Sequence, residues 1–194
     1  MPLLRPLRDY NEKDVLNLYT FSGQTSSGQI VNKGTLVAIP ASGGWRNDLE
    51  PLNILGQYGD FSVNNVQALR YGTSAYVTYY GTGSYTSGFV GEYPIGITLF
   101  DIRELDENNI PLKYNPRKAA ELEACISGQT VPIVTRGTFL YSGLTGNVQG
   151  GQALYGSTSG TIVALQNTGV LPQIGIALGG TGADGSALIR LGLY

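Results

Sequence analysis

Two phrases occur twice in this chain, in the same order. GTLVAIPASGG opens at Gly34 and returns, little altered, as GTIVALQNTG at Gly160; YPIGITLFD, from Tyr93 to Asp101, returns as LPQIGIALGG from Leu171 to Gly180. Each is a short apolar run bounded by glycine or proline, the pattern of a strand closed by tight turns. Strand residues alternate faces, so Ile95, Ile97 and Leu99 are expected to point one way, and Ile174, Ile176 and Leu178 likewise. Gly96 and Gly175 then lie on the opposite face and admit a close backbone neighbour. The repetition predicts a weak internal duplication, in which residues 34–39 with 95–99 and residues 160–165 with 174–178 hold related places in a β-barrel or sandwich. The spacer between the phrases is about 55 residues in the first copy and a handful in the second, so the first unit carries an insertion at about 45–93.

Composition agrees with a mainly β fold. Charged residues are only 13% of the 194, and 28 are glycine, with Thr, Ser, Asn, Gln and Tyr filling the remaining polar positions. Thr and Tyr suit a pleated surface, and Gly supplies turn conformations. The net charge of −2 comes with Lys and Arg scattered without a basic stripe, so nucleic acid is not expected as a partner. No apolar run reaches the length of a membrane span, and MPLLRPLRDYNEKD lacks the apolar stretch of a signal peptide; no membrane association or processing is expected.

Two further segments stand apart. Residues 1–21 combine Pro2, Pro6 and mixed charge with an apolar ending, and are expected to form an extended N-terminal arm ahead of a β-rich domain at 22–194. Leu16, Leu18, Tyr19 and Phe21 are too apolar to stay in water and are candidate contacts with a neighbouring subunit. In NPRKAAELEACISG, Asn115 can cap a helix, Pro116 suits its first position and Gly128 the residue past its end, which predicts one short α-helix within about 115–127. Its apolar face would carry Ala119, Leu122, Cys125 and Ile126.

The chain contains no histidine, which excludes Ser-His-Asp, Cys-His and His-metal chemistry. Cys125, the single cysteine, is expected to act as a small buried hydrophobe. Asp101, Glu104, Asp106 and Glu107 could offer oxygen ligands or an acid and base, but their spacing matches no EF-hand, and a solvated connecting loop explains them better. GGTGADG at Gly179 contains G-x-G-x-x-G; the following SALIRLGLY reads as a strand where a dinucleotide site needs a helix, so a hairpin turn is expected. No catalytic residue, cofactor or metal is assigned, and the chain is read as a non-enzyme.

The run PIGITLFDI, a linker, a small helix, SGQTVPIVTRGTF, then GGQALYG, GTIVAL and PQIGIALG resembles the capsid decoration (cement) proteins of tailed phages over about residues 28–194. Val131 to Gly137 is the most recognisable piece, and RPLRDYNEKDVLNLY ahead of a GTLV strand is similar to the version in phages of marine cyanobacteria. The resemblance implies a virion protein of the outer capsid surface, made in the host cytoplasm, whose partner is the major capsid protein. It also implies a homo-oligomer, a trimer foremost, or neighbouring copies on the shell. Aromatic residues make efficient interface anchors, so Trp45, Tyr76, Tyr79, Tyr80 and Tyr85 of the insertion join the four arm residues as expected contacts. The alternative is a tail- or fibre-associated protein that binds a host surface carbohydrate through the same rings.

Overall fold

The computed structural model describes residues 3–6, 11–21, 30–39, 44–47, 73–79, 93–126, 129–144, 148–157, 160–164 and 173–192. The fold is mainly β, with curled sheets forming a half-barrel and one short α-helix. One sheet runs, in spatial order, β2 (Val15–Leu16), β10 (Ile133–Val134), β7 (Tyr93–Thr98), β4 (Leu36–Ile39), β6 (Thr73–Tyr79) and β3 (Thr20–Phe21), with β5 (Gly44–Asn47) also paired to β6. The other runs β1 (Leu3–Pro6), β11 (Arg136–Ser142), β15 (Ala187–Gly192), β14 (Gln173–Ala177), β12 (Ala153–Ser157) and β13 (Thr161–Val163). A small parallel pair, β8 (Asp101–Ile102) with β9 (Ala124–Cys125), lies apart from both.

The duplication is present, and more regular than the matching words predict. Strands β2, β4, β6, β7 and β10 correspond to β11, β12, β13, β14 and β15. Chain order agrees, spatial order agrees, and every neighbouring pair within each five is antiparallel. Register fixes the equivalence residue by residue. Val37 faces Gly96 and Ala38 faces Pro94, skipping Ile95; Leu154 faces Gly175 and Tyr155 faces Gln173, skipping Ile174. The shared Ile-Gly-Ile phrase is therefore one bulge made twice, with an extra residue on the same strand at the same place.

Two sequence-based expectations are corrected here. GTLVAI and GTIVAL are not counterparts: β4 corresponds to β12, and the second phrase forms β13, the counterpart of β6. The bulge also breaks the alternation assumed for Ile95 and Ile97. Ile97 lies in one hydrophobic cluster, whereas Ile95 packs against the other.

Those clusters show how the units are stacked. Val37, Val77, Ile95 and Ile133 of the first unit face a cluster completed by Tyr19, Phe21, Val31, Ile102, Cys125 and Val131. Their counterparts Leu154, Ile162, Ile174 and Ile189 instead face the cluster shared between the sheets. Into that same shared cluster the first unit sends its opposite face: Leu36, Ala38, Ile97 and Val134. The units thus lie front to back. The first sheet is buried on both sides, which is why β4 reads as an unbroken apolar run with no polar alternation.

The insertions fall between corresponding strands. Between β7 and β10 the first unit spends residues 99–132 on β8, β9 and the helix, where the second has only the turn from 178 to 186. Helix α1 (Pro116–Glu121) starts as expected: Asn115 Oδ1 accepts from the Lys118 backbone N–H at 3.2 Å, with Pro116 at the first position. It ends earlier than the 115–127 range. Glu123 adopts a positive φ of 47°, and the chain then extends so that Ala124 and Cys125 pair with Asp101 and Ile102. Cys125 is consequently a strand residue and not part of a helical face. Asn115→Ala should lower unfolding free energy by about 1 kcal/mol, read from urea denaturation.

Candidate functional site

The four N-terminal candidates separate. Tyr19 and Phe21 are 9% and 8% exposed within the chain's own second cluster, Leu16 packs against that cluster, and Leu18 alone is open, at 55%. The Val131 N–H donates to the Tyr19 carbonyl at 2.9 Å, and Thr20 and Phe21 pair with Tyr76 and Val77. The expectation of outward contacts is therefore corrected for Tyr19 and Phe21, while Leu18 stays at the surface. Tyr19 and Phe21, with Leu16 packed beside them, find their cover inside the molecule, on the face of the first sheet that the second unit does not reach.

In the insertion, Trp45 on β5 pairs with Ala75, Tyr76 on β6 faces Gly44 on one side and Thr20 on the other, and Tyr79 pairs with Val37. These are backbone positions in the sheet. Tyr80 and Tyr85 lie outside the described residues. Surface aromatic character occurs at a residue that composition did not single out: Tyr114 is 77% exposed, with Lys113 Nζ 4.8 Å from its ring centroid. It is the last residue of a 3-10 turn at Leu112–Tyr114 in which Leu112 takes the buried position. Ile110, Leu178, Ile30 and Phe100 are also exposed.

The acidic run is tied into structure. Asp101 Oδ1 accepts from the Lys33 N–H at 2.7 Å, and Asp106, 8% exposed, accepts from the N–H groups of Asn108 and Ile110 at 2.8 Å each. Glu107 pairs with Lys118 at 3.5 Å, and the Glu104 carbonyl accepts from Leu112 N–H. Among the described residues no group of three His, Cys, Asp or Glu could hold a metal. The Gly179 run forms a turn as expected. Gly182 N–H donates to the Ser186 carbonyl at 2.7 Å, and Ser186 Oγ donates to the Asp184 carboxylate at 2.7 Å.

Cys125 is buried and free, and its Sγ–H reaches the Thr130 carbonyl at 3.7 Å. Burial pushes its thiol up to about 11 from 9.0. Since the raised group is neutral when protonated, its contribution to stability is intact below pH 9 and declines as pH rises through 11. At pH 8 the thiolate is roughly a hundredfold scarcer than in the unfolded chain. Iodoacetamide should therefore label native protein at least tenfold more slowly than protein in urea; equal rates would contradict the burial. Burial also raises Tyr141, whose hydroxyl donates to the Gly34 carbonyl at 3.2 Å.

No family model matches the chain, and no curated protein matches it either.

Proposed function

We propose that this is a structural virion protein that binds the outer surface of a tailed-phage capsid shell and stabilises it, with the major capsid protein as its partner. One observation carries the reading. Asp101 and Asp106 are held by backbone N–H groups and Cys125 is buried, while aromatic and aliphatic side chains such as Tyr114, Ile110 and Leu18 remain at the surface. Such a molecule acts through the area it covers. Repeated weak contacts across a shell give a high effective concentration, so that losing one leaves the others holding.

Copy number tests the reading. Quantitative gel analysis of purified particles should give hundreds of copies per virion, and isolated protein should rebind undecorated shells and raise their melting temperature. A dozen copies or fewer, located on the tail, would instead support the carbohydrate-binding alternative.

A further inference from the structure

The front-to-back stacking leaves one face of the second sheet without a cover among the described residues. Leu36, Ala38, Ile97 and Val134 form the back of the first unit and are buried against the second. By register, their counterparts on the second unit are Ala153, Tyr155, Ile176 and Arg190. Of these, the first three are half-buried and Arg190 is exposed. Leu140 and Leu188, directly paired and also half-buried, extend the same face, because their neighbours Phe139, Tyr141, Ile189 and Ala187 point into the shared cluster. Arg136 lies on it by the same alternation and is exposed.

Charge identifies the occupant. The six strands of this sheet contain three charged residues, Arg5, Arg136 and Arg190, and no carboxylate. Arg190 sits between Thr138 and Ile176 in the middle of the face, and no ion pair is formed by it among the described residues. A second copy meeting this face about a two-fold axis would set arginine against arginine. An apolar protein surface carrying carboxylates would bury the leucines and pair the guanidinium, which is the arrangement Arg favours at interfaces.

We infer that the outer face of this sheet, centred on Leu140, Leu188, Ile176 and Arg190, docks an apolar protein surface bearing carboxylates. Under the reading above, which the identification of the shell as partner rests on, this is the face laid on the capsid. Partner contacts then depend partly on charge, and not on aromatic burial alone.

Two measurements separate this inference from the functional reading. In the first, undecorated shells are titrated with wild-type protein, Arg190→Glu and Leu140→Gln, with Arg117→Gln, on an exposed arginine of the helix, as a control elsewhere. The expected result is at least tenfold weaker binding by both face variants, a flatter salt dependence for Arg190→Glu between 50 mM and 500 mM, and no change for the control. Wild-type binding by the face variants would overturn the inference and leave the capsid reading standing; no binding by wild type would remove the capsid reading only. The second measurement needs no shell. The apolar anion 8-anilinonaphthalene-1-sulfonate should bind the folded wild type at least threefold more tightly than either face variant, with melting curves confirming that the variants are folded. Equal dye affinity would overturn the docking face itself, as would sedimentation showing a wild-type dimer that Arg190→Glu dissolves.

Discussion

Replacing Gly96 or Gly175 by alanine should destabilise the protein by about 3 kcal/mol, a fall in melting temperature of about 6–12 °C for a chain of this size. A Cβ at Gly96 would overlap the Val134 carbonyl and lie 2.5 Å from Ile133 Cγ2; at Gly175 it would overlap the Arg190 carbonyl. Val134 and Arg190 are themselves counterparts in register, so the same backbone approach is made in both units. The obstruction is peptide backbone inside a paired sheet, which cannot swing aside as a side-chain tip can. Gly179→Ala is the control: nothing lies within 4 Å of its Cβ position, so its melting temperature should stay within about 2 °C of wild type. If Gly96→Ala and Gly175→Ala melt like the control, the two strands do not approach as closely as the duplicated bulge requires.

Those glycines were legible in the sequence because they follow a local rule. A glycine between isoleucines in a strand signals close approach whatever the topology, just as Asn-Pro ahead of a helical run signals a helix start. What could not be read was anything set by partners distant in sequence. The words GTLVAI and GTIVAL are alike because both are short buried strands, yet β4 and β13 hold different places, and the true counterpart of β4 is spelled QALYG. The end of α1 is a second instance. AELEACI continues a helical pattern, but pairing of Ala124 and Cys125 with Asp101 and Ile102 draws the chain out of it. The arginine-bearing face, without a cover among the described residues, is a third, since its outward direction follows only from which neighbours enter the shared cluster.

Phe21→Ala should cost about 3–5 kcal/mol, the range for removing a large buried aromatic side chain, and shift the urea midpoint accordingly. A detached arm predicts a change within about 0.5 kcal/mol, as expected of an exposed position. Leu18→Ala supplies that comparison in the same segment, because Leu18 is 55% exposed while Phe21 is 8% exposed. The contrast extends to truncation. From composition, removing residues 1–14 is expected to leave the domain melting unchanged. The fold predicts otherwise: residues 3–6 form the edge strand beside β11, and the Asp14 carbonyl accepts from both the N–H and Oγ1 of Thr135, at 2.9 and 3.1 Å. Thr135 lies between β10 and β11, where the chain leaves one sheet for the other, so losing Asp14 frees the crossing that joins the two units. The truncated protein should melt well below wild type even without a capsid in solution. A measured loss of shell binding by that truncation would therefore report unfolding before it reported a lost contact, and Arg190→Glu, on an exposed residue of an intact sheet, is the cleaner probe of docking.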